Sequence, residues 1–191
     1  MKKILVLFIT MILSAIITCP GCITDTEQKV QTYNIMWVNT QPSDYEYIET
    51  QLSCQITPYQ GTEYDNVTIS TNEKDDVMHL HISATSPTCR YPDLYEFAYR
   101  DQKLTRTGYL LEAIPEKTRQ NAIGIAMENP DIASSLSGDV GNPTVRRILP
   151  ETSEKFYKAK TCLSVTWEKI LTSALIDMDT LSVVKMWNGE G

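Results

Sequence analysis

Between Asn66 and Thr85 the apolar positions recur every second residue, first in NVTIST and then in VMHLHISAT. That alternation predicts two strands with one buried face each, joined across the polar loop Asn72–Asp76. Leu94 to Tyr99 and Leu104 to Ile114 form a second such pair, turning at Arg100-Asp101-Gln102-Lys103. Tyr33 to Val38 and Tyr45 to Ile56 read as earlier strands, because nine of the ten tyrosines fall between Tyr33 and Tyr109 and Tyr favours strands. The expectation for residues 33–114 is therefore a β-rich region, an antiparallel sheet with one wet face.

The texture changes at Ile114-Pro115. Pro suits the first position of a helix, and Glu116 to Glu128 (EKTRQNAIGIAME) carries an apolar stripe of Ala122, Ile123, Ala126 and Met127. Asn129-Pro130 ends that helix, and Asn129 is placed to cap a second one from Pro130 to Ser137 that stops at Gly138. Short strands follow at Thr144–Leu149, Phe156–Ala159, Thr161–Trp167, Leu171–Ile176 and Leu181–Trp187, with Leu163, Val165 and Trp167 on one face. A helical block before regularly spaced strands predicts helices packed on a second antiparallel sheet over residues 115–191, and so an α+β fold.

Ahead of this body stands MKKILVLFITMILSAIITCPGC, two lysines and then the uncharged run Ile4 to Thr18. A basic start, a short apolar stretch and a small residue at the cut describe an export signal over residues 1–21. Pro20-Gly21 interrupts the run before it reaches the length of a membrane-spanning helix. The Cys-Pro-Gly-Cys stretch resembles a lipobox, which implies a lipidated Cys22 as the mature N-terminus. Gly21 makes Cys22 a better site than Cys19, which follows Thr18, although Cys19 and Pro20 depart from the usual pattern. Residues 22–32 would then be a polar, lipidated tether. Two acyl chains at roughly 0.8 kcal/mol per buried methylene anchor a protein without any basic patch. The charge agrees: 17 Lys+Arg against 24 Asp+Glu gives −7, and losing Lys2 and Lys3 with the leader leaves −9. Such a balance disfavours nucleic acid, whose binding needs clustered cations.

Ala122-Ile123-Gly124-Ile125-Ala126-Met127-Glu128-Asn129-Pro130-Asp131-Ile132 resembles the helix of PepSY-type domains, and Ala174 to Val184 is similar to that family's last hairpin. Leu181 stands where the family usually has Gly, so the turn must be built differently. The resemblance covers residues 121–187. It implies a small exported helix-on-sheet module that binds or restrains peptidases or serves as an extracytoplasmic interaction domain, with no catalytic residues to transfer.

The candidate chemistry is sparse. An exported chain meets an oxidising environment, where Cys54 and Cys89 would close a loop of about 35 residues and contribute roughly 3–4 kcal/mol. Cys162 is left over and reads as a buried thiol. His79 and His81 lie on one strand face and offer two metal ligands, with Asp75 or Asp76 near; solvent-facing strand positions opposite Met78, Leu80 and Ile82 account for them better. Asp177 and Asp179 flank a turn, where turn formation accounts for them better than acid–base chemistry. Tyr45, Tyr47, Tyr95 and Tyr99 are candidates for an aromatic binding surface, and Asn66-Val67-Thr68 is the usable glycosylation sequon. No nucleophile elbow, phosphate loop or His-Glu-x-x-His occurs. The expectation is a non-catalytic cell-envelope lipoprotein without a cofactor, held by its lipid and acting on a protein partner outside the cytoplasm. An exported metal-binding protein using His79 and His81 is the alternative.

Overall fold

The computed structural model describes residues 33–189. The expected export signal, the lipobox-like stretch, Cys22 and the expected tether up to residue 32 lie outside them. The first strand, β1 (Asn34–Trp37), is followed by helix α1 (Tyr45–Ser53), and then by β2 (Asn66–Lys74), β3 (Val77–Thr85), β4 (Asp93–Arg100) and β5 (Lys103–Leu111). Helices α2 (Glu116–Glu128) and α3 (Pro130–Ser135) come next, then β6 (Thr144–Ile148), the short α4 (Pro150–Ser153), β7 (Cys162–Trp167), β8 (Thr172–Asp177) and β9 (Ser182–Asn188). The nine strands form one sheet in chain order, β1 pairing parallel with β2 and every later pair antiparallel.

This corrects the α+β expectation of two sheets. The strands after the helical block do not start a second layer; β6 adds to the free edge of β5. The join is slight, since β5 and β6 share a single backbone pair, Leu111 with Arg147. Nothing in local periodicity reports a pairing between segments so far apart in the chain.

Two strand expectations also fail. Tyr45–Ser53 is helix α1, because Ile48 and Leu52 are both fully buried four residues apart, the helical spacing. A parallel β1–β2 pair needs a crossover, and α1 provides it. The Phe156–Ala159 strand is absent; turns follow α4 there, and Phe156 is half exposed, its ring 5.3 Å from Trp187.

Elsewhere the pattern and the structure agree closely. The β2–β3 and β4–β5 hairpins turn on two residues with positive φ, Asp75-Asp76 and Asp101-Gln102, the geometry that matches the strand twist. The Asn129 side chain caps α3 by accepting from the Asp131 and Ile132 amides.

Apolar side chains gather in two clusters. One holds Ile48, Leu52, Val67, Leu80, Phe97 and Leu111 under α1 and β2–β5. The other sets Ala122 and Ala126 of α2 and Ile132 of α3 against Val145, Val165 and Trp167. Leu149, beyond β6, belongs to the first cluster, whereas Tyr59, ahead of β2, packs on the second. The halves thus interlock across the β5–β6 join.

Leu181 solves the turn where the PepSY resemblance would have Gly by adopting φ +49° itself. A left-handed backbone costs a non-glycine residue about 1–2 kcal/mol, and this side chain is 63% exposed, so little packing offsets the strain. Leu181→Gly is expected to raise unfolding stability by about 0.5–1 kcal/mol. A lower urea midpoint for the variant would contradict that account.

Candidate functional site

At the β5–β6 join the structure buries ionic groups that a surface strand would expose. Alternation along β4 turns Asp93, Tyr95, Phe97 and Tyr99 inward, and Asp93 is completely buried. Arg147 of β6 comes to meet it: Nη2 lies 2.8 Å from Asp93 Oδ2, 2.7 Å from the Thr57 carbonyl and 3.2 Å from the Tyr95 hydroxyl. The Tyr64 hydroxyl donates to Asp93 Oδ2 at 2.6 Å, and the Ala113 amide to Oδ1 at 2.7 Å. Burial pushes the Asp93 carboxyl up, against the pull of Arg147, Tyr64 and the backbone amides. Burial likewise opposes the charge on Arg147, but Tyr95 and Asp93 more than restore it and its pKa rises.

Arg147 also lines a cavity of about 500 Å³, shared with Tyr59, Leu149, Lys160, Cys162 and Asp179. Its second cation is committed as well, since Lys160 Nζ lies 2.6 Å from both Asp177 Oδ1 and Asp179 Oδ2. Asp177 is buried, contrary to the surface turn expected for it, yet its role is structural. Its Oδ1 accepts from the Asp179 and Thr180 amides and so shapes the β8–β9 turn. Burial alone would raise its pKa, but Lys160 and those two amides overcome this and hold it at about 2. The seam cavity is therefore polar but internally neutralised.

A second cleft, of about 550 Å³, opens beside α2. The β3–β4 loop contributes Arg90 and Tyr91, α2 contributes Glu116, Arg119, Gln120, Ile123 and Met127, and the loop after α3 closes the far side with Leu136, Val140 and Asn142. Trp167 of β7 forms part of the lining and is itself buried. Positive φ at Gly138 (+79°) and Gly141 (+69°) lets that loop fold back, and Lys169 pins it through Asp139 at 2.7 Å. Arg119 sits on the buried face of α2, where its Nη1 and Nη2 donate to the Val145 and Glu112 carbonyls at 3.2 and 2.8 Å. Met127, expected on the buried stripe, is 52% exposed at the cleft edge.

The residues singled out in the sequence are scattered. Tyr95 and Tyr99 are buried in the first cluster, while Tyr45 and Tyr47 stand on α1, so the four do not share a surface. Cys54 and Cys89 are free thiols rather than a disulfide, and Cys162 is a buried thiol whose pKa burial raises. His79 and His81 share a strand face as expected. His81 Nδ1 lies 3.9 Å from Glu96 Oε1, and among the described residues no three His, Cys, Asp or Glu side chains converge as metal ligands. Asn66 is exposed at the start of β2. No helix of the described residues is long and apolar enough to cross a membrane. The groups that sequence reasoning missed, Asp93, Arg119 and Arg147, each carried one signal: a charge at a position where the period demands burial.

No protein-family model, curated protein or solved structure matches the chain.

Two outcomes follow from the seam. Arg147→Met leaves Asp93 buried without its cation and should cost about 3–5 kcal/mol, whereas Arg147→Met with Asp93→Leu should recover most of that loss. Urea unfolding checks this; equal losses in the single and double variants would be inconsistent with a pair. At the β8–β9 turn the folded pKa of Asp177 lies below its ordinary 3.8. Its contribution is therefore complete above about pH 4 and drains away as pH falls toward 2, at most about 2 kcal/mol. The stability gap between the wild type and Asp177→Asn should shrink over that window, and a gap constant with pH would refute the assignment.

Proposed function

We propose that this chain is a non-catalytic cell-envelope lipoprotein, anchored through acylated Cys22, whose folded body faces outside the cytoplasm and binds a protein. The observation that carries the binding role is the α2 cleft, where apolar side chains remain open to solvent beside Arg90, which has no carboxylate partner among the described residues. Met127 is 52% and Tyr91 37% exposed there, on the rim of the cleft. A cavity of this size that combines apolar walls with convergent polar groups is a form that binding sites take. The leader sequence and the lipobox resemblance support export and anchoring, and the acidic body needs the acyl chains because its charge gives no attraction to anionic lipid. Restraint of a peptidase, which the PepSY resemblance implies, is one form of such binding.

The test is site-directed photo-crosslinking in intact cells, together with palmitate labelling. A benzophenone side chain at Met127 should form a protein adduct, whereas the same group at Leu94, exposed on β4, should not. Palmitate should label the wild type and leave Cys22→Ser unlabelled. Adducts at neither position, or equally at both, would remove the cleft from consideration; label retained in Cys22→Ser would remove the anchor.

A further inference from the structure

The two cavities differ in how their charges are disposed. At the seam, Arg147 faces Asp93, and Lys160 faces Asp177 and Asp179, so each cation is already balanced. In the α2 cleft the Arg90 guanidinium rests over the Tyr91 ring at 5.3 Å, exposed, and among the described residues it has no carboxylate partner. Arg119 approaches the same ring at 4.8 Å. Its Nε is buried without a hydrogen-bond partner, and Glu116 Oε2 stands 3.9 Å from it. Glu116 is the single acid of the lining and also accepts from Gln120 at 2.6 Å. The cleft therefore carries a local surplus of positive charge on a chain whose net charge is −7. Below that polar mouth the wall is Ile123, Met127, Leu136, Val140 and Trp167.

A ligand matched to this arrangement has an anionic group for Arg90 and an apolar group for the wall of the same cleft. The side-chain amides of Gln120 and Asn142 lie on the same lining, and both donate and accept hydrogen bonds. A peptide group uses the Asn142 amide and the Gln120 side-chain oxygen, whose amine is already held by Glu116, whereas an acyl chain laid against them offers neither a partner, which is unfavourable on desolvation. We infer that the cleft receives the free C-terminal end of a polypeptide whose last residue is apolar. Its α-carboxylate pairs with Arg90, its last side chain enters among Ile123, Met127, Val140 and Trp167, and its final peptide groups meet Gln120 and Asn142. Capture of a chain's terminal carboxylate is an established mode of peptide recognition, and here a guanidinium would supply the donors. Arg119 is a positioning residue here: it holds Tyr91, and through it Arg90, against α2. The inference rests on the proposed binding role and specifies the chemistry of the partner.

Fluorescence anisotropy with the detergent-solubilised full chain tests it, using labelled peptides that end in Leu, Val, Ile or Phe, each as the free acid and as the C-terminal amide. The free acids should bind, and amidation should weaken them about tenfold or more, the loss of one charge-assisted hydrogen bond. Arg90→Gln should impose the same loss on the free acids and no further loss on the amides. Val140→Asp should weaken both forms, and decanoate should not compete. Arg90 is exposed, so its variant is expected to keep the wild-type circular dichroism and thermal midpoint. Equal affinity for acid and amide, no binding by any apolar-ended peptide, indifference to Arg90→Gln, or competition by decanoate as strong as by peptide would each overturn the inference. Crosslinks confined to Met127 alongside equal acid and amide affinities would sink this inference while leaving the broader binding role intact.

Discussion

The sheet is continuous because a buried ion pair holds it where its backbone barely does. Between β5 and β6 only Leu111 and Arg147 pair, and beside them Arg147 joins Asp93, Tyr95 and the Thr57 carbonyl. An apolar pair of similar volume would tolerate several relative placements of the two halves. Buried charges do not, since any arrangement that separates them leaves one uncompensated. Arg146 with Glu112, at 2.9 Å, adds a partly exposed link across the same join and contributes much less.

The same device recurs where irregular segments meet the sheet. Arg147 donates to the Thr57 carbonyl, Arg119 to those of Glu112 and Val145, and Arg106 to that of Gln55. Thr57, Glu112 and Gln55 lie outside the strands, where no ladder neighbour serves their carbonyls, and a buried carbonyl left alone is costly. Arginine suits the task because its forked donors reach two or three acceptors at once while its charge stays fixed. Arg119 does more than dock α2. By approaching Tyr91 it connects the helix to the β3–β4 loop of the other half, and both segments line the cleft.

Local periodicity made much of this fold legible. The strands β3, β4 and β7, the helix α2 and the Asn129 cap follow from residue spacing and one capping side chain, because each is stabilised within its own segment. Tyr45–Ser53 was not legible as a helix, since its tyrosines suit strands while the deciding residues, Ile48 and Leu52, are two positions in nine. The single sheet was not legible at all. It depends on a contact between Asp93 and Arg147, and although each is a charge at a position where the period demands burial, nothing local names the partner it meets. Of the cleft, only α2 and the presence of a loop near Gly138 were visible; Arg90 and Tyr91 arrive from a distant hairpin connection. The misplaced expectations share a cause, in that Tyr95 and Tyr99 face inward on the strand face that Asp93 begins.

Charge also decides how a cleft of this kind can work. The acidic body repels an anionic ligand at long range, but at physiological ionic strength that field is screened within about 8 Å. Contact with Arg90 acts inside that distance, over an aromatic ring and against an apolar wall where water is partly excluded. Association would then proceed without electrostatic steering, and the lifetime of a complex would depend on the apolar side chain seated below the arginine. Added salt should consequently change the rate of encounter little. An interaction of this kind relies on short-range fit, and it suits the membrane tether proposed above, since a partner confined to the same surface would be met repeatedly and need not be drawn from a distance.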